Sequence, residues 1–240
     1  MNESKGYMSS IETMGLVDGP GIRIVFFLQG CPLRCLFCHN PETWAPKRGL
    51  IMTPTEVVEK IMRYKNYFGK EGGVTFSGGE PLFQRTFLLE TLKLCKKNYI
   101  HTALDTSGYG EDYEEILDYT DLVIWDVKAY EKEAYQKMTG RDISVSLRFL
   151  ETCQKKNKKM WIRQVIVPGI NDTLEYIDGL ATFLKPLRNL AKIELLPYQT
   201  LGVSKYEEMN ILYRLEDVPA MEVEKCRQLE QELLKKLGRI

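Results

Sequence analysis

Residues 22–40 read IRIVFFLQGCPLRCLFCHN and combine an apolar run with three closely spaced cysteines. The run at residues 22–28 is rich in β-branched and aromatic side chains, which predicts a buried strand. Cys31, Cys35 and Cys38 follow at once in a C-x3-C-x2-C spacing. The three thiols therefore lie on the loop just after a strand, and one short loop can direct them at a single point.

The same kind of apolar run recurs along the chain, at residues 73–77, 102–105, 122–126, 161–167 and 193–196. Amphipathic helical patterns separate these runs, and the last helix is expected at about residues 221–238. Strands that alternate with helices predict parallel pairing with right-handed crossovers. We therefore expect an α/β fold, a partial (β/α)6 barrel of the TIM type.

The helix after the cysteine loop has a well-defined start signal. Thr53 is a predicted N-cap, Pro54 occupies the first helical position, and Glu56 completes a capping box. Helix boundaries are otherwise hard to place from sequence, but this signal predicts that the helix begins at Pro54.

Polar residues fall where the predicted strands end. In α/β barrels the carboxyl ends of the strands build the active site. The pattern therefore predicts one site at one mouth of the barrel, formed by Gly78-Gly79-Glu80, Asp105-Thr106, Asp126 with Lys128, and Tyr198-Gln199.

Composition narrows the class of protein. The chain has 240 residues, and its 33 basic and 33 acidic residues give a net charge of +0, which does not favour a nucleic-acid partner. Residues 1–10 lack the features of a signal peptide, and no apolar run approaches a bilayer-spanning length, so we expect a cytoplasmic protein without a membrane partner. In that compartment the six cysteines are expected to be thiols or metal ligands, with Cys95, Cys153 and Cys226 serving as packing residues on helical faces.

The clustered cysteines favour an iron–sulfur site on spacing alone. Thiolates are suitable ligands for iron–sulfur clusters, and three ligands on a four-iron cluster leave one iron open for a substrate. Three alternatives remain at this point: a zinc site with His39 as the fourth ligand, a disulfide plus one free thiol, and three buried structural cysteines.

A resemblance to a known family extends along nearly the whole chain. CPLRCLFCHN resembles the radical SAM (S-adenosylmethionine) signature, in which an aromatic residue, here Phe37, precedes the last cysteine. Further segments resemble the radical SAM activases of glycyl-radical enzymes, and the absence of a cysteine-rich insert between Cys38 and Ser77 resembles the pyruvate formate-lyase type. These segments are VDGPGIR (17–23), SGGEP (77–81), LDTSG (104–108), WDVK (125–128), WIRQVIVPG (161–169) and ELLPYQTLG (194–202).

The resemblance implies a single radical SAM domain over residues 1–240, with a cluster loop at 29–40. It implies a [4Fe–4S] cluster on Cys31, Cys35 and Cys38, which would be the catalytic residues. The implied reaction is reductive cleavage of SAM and removal of a glycine Cα hydrogen, which installs a glycyl radical on pyruvate formate-lyase under anaerobic conditions. An external flavodoxin or ferredoxin would deliver the electron, and we expect a monomer.

The resemblance also implies roles for individual residues, each of which could instead be a turn residue or a structural ion pair. SAM would be held by Phe37, Cys38, His39, Gly78, Gly79, Glu80, Asp126, Val127, Lys128, Arg163 and Gln199. A monovalent cation beside the SAM carboxylate would be bound in part by Asp105, Thr106 and Asp126. The glycine-bearing loop of the partner protein would be seated by Asp18, Gly19, Gly21 and Arg23.

Gln199 departs from the family pattern, which has a histidine after the Pro-Tyr of the last strand. Glutamine can donate and accept hydrogen bonds but cannot be cationic. Competing interpretations of the whole chain are an activase of another glycyl-radical enzyme, a radical SAM enzyme acting on a small molecule, and a zinc-binding structural module built on Cys31, Cys35, Cys38 and His39.

Overall fold

The structure, a computed structural model, describes residues 3–240. Strands and helices alternate through most of this range, as the apolar periodicity predicts. The elements are β1 (Gly6–Gly15), β2 (Arg23–Leu28), β3 (Leu50–Met52), α1 (Pro54–Tyr64), β4 (Gly73–Gly78), α2 (Arg85–Lys97), β5 (Thr102–Thr106), α3 (Glu114–Asp118), β6 (Leu122–Asp126), α4 (Lys132–Thr139), α5 (Ser144–Lys155), β7 (Lys159–Ile166), α6 (Leu174–Leu184), β8 (Leu190–Pro197), α7 (Val203–Glu208) and α8 (Val223–Lys236).

One sheet holds all eight strands in the order β3-β1-β2-β4-β5-β6-β7-β8. Six strands, β2 and β4 to β8, pair in parallel. The predicted α/β fold with six parallel strands is therefore confirmed. The parallel registers bring the carboxyl ends together. Leu28 pairs with Gly78, for example, and Asp126 pairs with Arg163.

The parallel strands are apolar because both of their faces are covered. Four of the five residues of β6 are buried, and Phe26 of β2 stacks on Phe76 of β4 with ring centroids 5.9 Å apart. Strands buried on both faces are typical of sheets flanked by helices. Cys95, Cys153 and Cys226 lie in this core, where packing is the role expected of them.

The start of α1 agrees with the sequence signal. The Thr53 side chain accepts a hydrogen bond from the backbone N–H of Glu56, and the Glu56 carboxylate accepts one from the backbone N–H of Thr53, 2.7 Å away. These reciprocal bonds satisfy two of the donors that a helix start leaves unpaired. The helix therefore begins at Pro54, as predicted.

Three elements were not predicted. β1 pairs antiparallel with both β2 and β3, and these two extra strands extend the sheet beyond the barrel. The short helix α7 follows β8 and contacts the loop after the cysteines. In addition, none of the helices within residues 3–240 has the length and apolar character needed to cross a membrane.

Candidate active site

The cysteine loop leaves the end of β2 and is held by backbone hydrogen bonds to α4. The N–H of Arg34 donates to the carbonyl of Thr139 at 2.8 Å, and the N–H of Leu36 donates to the carbonyl of Met138 at 2.9 Å. The helix end supplies these carbonyls because its last turn leaves them without helical partners. The loop is therefore fixed in shape by contacts that do not involve the thiols.

A cavity of about 540 Å³ opens at the carboxyl ends of the parallel strands. The predicted site at one mouth of the barrel has this location. Thirteen of the residues singled out from the sequence line it together, from six separate segments of the chain: Asp18, Cys31, Cys35, Phe37, Cys38, His39, Gly78, Gly79, Asp105, Thr106, Asp126, Lys128 and Gln199.

The three cysteines of the loop lie on the wall of this cavity, where Cys35 is buried and Cys31 and Cys38 are half-buried. Burial raises the pKa of Cys35 to about 12, and although Lys128 opposes this effect, Cys38 and Asp126 add to it. Burial likewise raises the pKa of Cys31 and Cys38. Thiols of this kind stay protonated at neutral pH unless a metal takes the place of the proton. All six cysteines are free, so the alternative of a disulfide is excluded.

His39 is not placed as a fourth ligand to a zinc ion. Its Nε2 lies 2.7 Å from the carbonyl oxygen of Gln199, on the loop after β8. Within residues 3–240, no three His, Cys, Asp or Glu side chains are arranged to hold a single metal ion. The zinc module therefore lacks the tetrahedral donor set that such a site requires.

Asp126 and Lys128 form an ion pair at the end of β6. Lys128 Nζ lies 2.5 Å from Asp126 Oδ2 and 5.2 Å from the centre of the Phe37 ring. Burial alone would lower the pKa of Lys128, but Asp126 and the nearby thiols raise it further than burial lowers it. In the part of the chain that the structure describes, Asp126 Oδ1 is buried and has no hydrogen-bond partner. A buried carboxylate oxygen without a partner marks a place where a ligand donor can bind.

Asp105 is a second carboxylate on the cavity wall. Ser77 Oγ donates to Asp105 Oδ2 at 2.8 Å, and Arg163 Nη1 lies 3.8 Å from the same oxygen. Burial raises the pKa of Asp105 to about 6, Arg163 lowers it, and the charge of Asp126 raises it. A cation between two neighbouring carboxylates stabilises the ionised form of both.

Glu80 lies behind the cavity wall rather than on it. Its carboxylate accepts hydrogen bonds from Thr106 Oγ1 at 2.5 Å and from the N–H and hydroxyl of Ser107 at 3.0 and 2.6 Å. These hydrogen bonds join the end of β4 to the end of β5, and the contact between Glu80 and SAM stays a prediction. Burial raises the pKa of Glu80, and these hydrogen bonds oppose the rise.

Gly78 and Gly79 present bare backbone to the cavity. Gly78 has a φ of 110°, which residues with a side chain rarely adopt. A Cβ on Gly79 would lie 2.5 Å from the carbonyl oxygen of Gly30. Glycine is thus required twice, once for conformation and once for space. Because neither residue has a side chain, a ligand in the cavity can contact the main chain directly at these two positions.

Arg163 and Val127 are also set back from the cavity. The Arg163 guanidinium donates to the carbonyl of Val17, lies 3.1 Å from Glu194 Oε2, and lies within 4.0 Å of both Asp18 and Asp105. Val127 is buried, and its N–H donates to the carbonyl of Arg163 at 2.7 Å. Arg163 is thus the centre of an ion-pair network, and Val127 is a backbone link between β6 and β7. Their contact with SAM stays a prediction.

The turn at residues 18–23 divides into an accessible and a buried part. Asp18 lines the cavity, but Arg23 has no exposed surface, because its guanidinium donates to Thr75 Oγ1 and to the carbonyl of Val74, both at 2.6 Å. Gly19 has a φ of 128° and packs over the Arg23 side chain. Arg23 supports the turn from beneath, and its part in seating a partner peptide stays a prediction.

The helix that holds the cysteine loop from the other side was not predicted. Tyr206 of α7 donates its hydroxyl to the carbonyl of Cys38 at 3.0 Å, and Lys205 Nζ reaches Asn40 Oδ1 at 3.0 Å and Glu42 Oε1 at 2.6 Å. Tyr206 is separated from Cys38 by more than 160 residues, and its segment has no periodic apolar stripe. Only tertiary structure could therefore identify this helix as part of the site.

The residues present fit a [4Fe–4S] cluster with SAM. Three thiols share one cavity wall, and the adjoining wall offers the unpartnered Asp126 Oδ1 and the bare backbone of Gly78 and Gly79. Thiolates suit iron, whereas a carboxylate and main-chain groups that line a cavity suit an amino acid with a sulfonium charge. The donor set thus matches both groups side by side.

Comparison with known proteins gives a family that is consistent with these cluster and SAM ligands. The Radical SAM superfamily profile matches residues 25–184. A protein named pyruvate formate-lyase-activating enzyme in Clostridium pasteurianum is 51% identical over 230 residues, covering 95% of this chain and 97% of that protein. One of the same name in Staphylococcus epidermidis is 42% identical over 226 residues, covering 89% of each.

A solved structure gives the same answer for the fold. A domain of the pyruvate-formate lyase-activating enzyme from Bacteroides vulgatus superposes with a TM-score of 0.56 and 26% identity, covering 69% of this chain and 94% of that one. The profile match spans the cysteine loop, the two glycines at the end of β4 and the acidic ends of β5 and β6. The chain therefore belongs to the radical SAM superfamily and, within it, to the family of the pyruvate formate-lyase-activating enzymes.

Proposed function

We propose that the protein uses a [4Fe–4S] cluster and SAM to install a glycyl radical on pyruvate formate-lyase. The observation that carries the proposal is the single cavity shared by Cys31, Cys35 and Cys38 and by the unpartnered carboxylate oxygen of Asp126. The relatives that are 42% to 51% identical over most of the chain carry the same activity in their names.

The cluster and SAM, once bound, supply the radical chemistry, in which one electron cleaves SAM and a hydrogen atom leaves the glycine Cα. The protein's own residues bind, orient and exclude water. Cys31, Cys35 and Cys38 hold the iron, while Asp126 and the backbone of Gly78 and Gly79 hold the amino-acid end of SAM. Phe37 offers an apolar surface, and Lys128 supplies the positive charge nearest to Asp126.

Asp105, Thr106 and Asp126 are proposed as part of a monovalent cation site. The support is electrostatic, since Asp105 and Asp126 line one cavity and the charge of Asp126 raises the pKa of Asp105. Activity should differ between potassium, sodium and choline buffers of equal ionic strength. Equal activity in all three would remove the cation from the proposal.

The finer features of the proposal concern the organisation of the protein and its partners. Residues 1–240 are proposed to act as one monomeric domain, because a single sheet joins β1 to β8 and α8 packs on β8 and α6. An external flavodoxin or ferredoxin is proposed as electron donor. The glycine-bearing loop of the partner is proposed to enter at the cavity mouth beside Asp18.

The test begins with anaerobic reconstitution of the protein with iron and sulfide. The reduced protein should give a four-iron EPR signal that shifts when SAM is added, and 5′-deoxyadenosine should form. Addition of purified pyruvate formate-lyase should then produce a glycyl-radical EPR signal. Formation of 5′-deoxyadenosine without that signal would point to a different glycyl-radical enzyme, and a cluster that does not respond to SAM would contradict the proposal as a whole.

A further inference from the structure

Three arginines from three separate segments converge on the outer face of the cysteine loop. Arg34 belongs to the loop itself, Arg141 lies between α4 and α5, and Arg214 lies between α7 and α8. All three are exposed. We call them the arginine collar, because their guanidinium groups surround residues 31–34 from outside.

Each arginine of the collar donates to a main-chain carbonyl of the loop. Arg34 Nη1 donates to the carbonyls of Cys31 at 2.7 Å and Leu33 at 2.6 Å. Arg141 Nε donates to the carbonyl of Pro32 at 2.9 Å, and Arg214 Nη2 donates to the carbonyl of Arg34. Four consecutive carbonyls of the loop thus accept from cationic donors, and these bonds hold the positive charges directly over the loop.

The collar and the cavity lie on opposite sides of the same short stretch of backbone. Leu33 is 1% exposed and Cys35 is 8% exposed, and both line the cavity, whereas Arg34 between them points outward. SAM and the glycine of the partner must use the cavity side. The outer side is therefore the surface from which an electron can reach the thiol-bound iron without competing with either of them.

The charge of the collar is not compensated. Among the residues that the structure describes, the arginine ion pairs are those of Arg163 and Arg227, and no carboxylate lies within 4.0 Å of a collar guanidinium. Asp142 is adjacent to Arg141 in sequence, but its Oδ1 accepts from the N–H of Ser144 at 2.8 Å. Since the whole chain is neutral, three unpaired arginines on one face are a local excess of positive charge.

We propose that the arginine collar is the docking surface for a small acidic electron-carrier protein that reduces the cluster through the loop at residues 31–34. This inference rests on the proposed function and adds the place and charge of the partner. Guanidinium groups pair well with carboxylates, and a patch of one sign steers a partner of the opposite sign. With a flavodoxin as carrier, the anionic flavin hydroquinone gives one electron to the oxidised cluster and becomes the neutral semiquinone. No bond forms or breaks in this step.

The test compares a triple variant, Arg34→Gln with Arg141→Gln and Arg214→Gln, with the wild type. Two reductants are used: an acidic flavodoxin reduced to the hydroquinone, and the neutral photoreduced 5-deazariboflavin. At low ionic strength the second-order rate of cluster reduction by flavodoxin should fall about tenfold or more in the triple variant, and its salt dependence should flatten. The rate with deazariboflavin should be unchanged.

Two further variants separate charge from loop structure. The triple Arg→Lys variant keeps the charge and should restore most of the flavodoxin rate. Arg188→Gln removes an exposed arginine from the opposite end of the sheet, just before β8, and should have no effect. Binding of oxidised flavodoxin, measured by calorimetry without turnover, should weaken about tenfold in the triple glutamine variant alone.

An unchanged flavodoxin rate and affinity in the triple glutamine variant would overturn the proposal. An equal loss with both reductants would also overturn it, because it would show that the arginines only shape the loop. The proposed function fails separately, if the wild type reduced by deazariboflavin does not cleave SAM.

Discussion

At the amino ends of the parallel strands, buried polar groups have their partners within the protein. Arg23 donates to Thr75 Oγ1 and to the Val74 carbonyl, and Asp121 Oδ2 accepts from the N–H of Thr102 at 2.9 Å. At the carboxyl ends, within residues 3–240, Asp126 Oδ1 is buried without a partner, and the cysteine thiols line an open cavity. The polar groups named at the amino ends of the strands are therefore hydrogen-bonded within the protein, whereas the carboxyl ends include a buried oxygen without a hydrogen-bond partner.

The difference shows where this fold uses its polar residues for stability and where it keeps them for ligands. Satisfied buried groups raise the free energy of unfolding, whereas an unpartnered buried oxygen lowers it unless a ligand completes the site. Substitutions at the amino ends should therefore change stability and spare ligand binding. Substitutions at the carboxyl ends should do the reverse.

The largest effect is expected at the cysteines. Cys35→Ala removes one of three iron ligands, so the reconstituted protein should contain little iron and sulfide and should form no 5′-deoxyadenosine. Cys226→Ala is the matched control, because Cys226 is buried in the core and its Sγ lies 3.5 Å from the carbonyl of Leu195. The control should keep its cluster. Loss of the cluster in both variants would mean that the thiols of the loop have no special role.

Asp126→Asn should weaken SAM binding about thirtyfold, which corresponds to about 2 kcal/mol. The neutral amide cannot balance Lys128, whose Nζ lies 2.5 Å from the carboxylate, and breaking a buried ion pair leaves a charge uncompensated. The dissociation constant can be measured by the EPR shift of the reduced cluster. An unchanged affinity would place SAM elsewhere in the cavity.

Asp121→Asn should act at the other end of the sheet, lowering the free energy of unfolding by about 1.5 kcal/mol at pH 7. Burial raises the pKa of Asp121, but hydrogen bonds from Thr102 and the charges of Lys96 and His101 outweigh burial and lower the pKa below its ordinary value of 3.8. The carboxylate therefore stabilises the fold above the pKa of the unfolded chain, and this contribution is lost as the pH falls through the lower pKa of the folded state.

Urea denaturation of the wild type and of Asp121→Asn checks both parts of this prediction. The difference in stability should be constant from pH 6 to pH 7 and should disappear well below pH 4, while SAM affinity at pH 7 stays the same. A variant that loses SAM affinity without losing stability would reverse the proposed division between the two ends.

Much of this division could be foreseen from the sequence. The apolar runs located all six parallel strands, and the polar residues at their ends converged as parallel pairing requires. β1 was not predicted because it lies beyond the barrel, is poor in β-branched side chains, and over most of its length alternates half-buried with exposed residues. Its pairing with β2 is set by contacts that a local pattern does not record.

The direction of individual side chains at the site was less predictable. Glu80, Arg163 and Arg23 all occupy motif positions, yet each turns to neighbouring strands or turns instead of the cavity. A long polar side chain beside a glycine turn can reach either way, and the choice depends on which buried partners need its hydrogen bonds. Sequence spacing carries no information about those partners.

Tyr206→Phe should have a smaller effect, because it removes one hydrogen bond to the carbonyl of Cys38 at 3.0 Å. A net loss of about 1 kcal/mol corresponds to a fivefold faster release of iron to a chelator. Tyr213→Phe is the control, since the Tyr213 hydroxyl bonds to that of Tyr198 at 2.5 Å rather than to a carbonyl of the loop. Equal rates of iron release in the two variants would show that α7 does not stabilise the cysteine loop.

Gln199→His should have the smallest effect, a change in SAM affinity of less than about tenfold, or roughly 1.4 kcal/mol. The contact that Gln199 makes with the loop uses its main-chain carbonyl, which accepts from His39 at 2.7 Å and which the substitution retains. Titration of SAM into the reduced variant measures the change. A larger shift would show that the side chain at this position contributes strongly to SAM recognition.

The backbone bonds from Arg34 and Leu36 to the end of α4 have a consequence for the working life of the protein. A loop that is tied to a helix through its main chain keeps its shape when iron is stripped away by oxygen. Oxidation then removes only the cluster, and the polypeptide stays folded and able to bind a new one. A cell that moves between air and anoxia could restore such a protein by supplying iron and sulfide, without making the chain again.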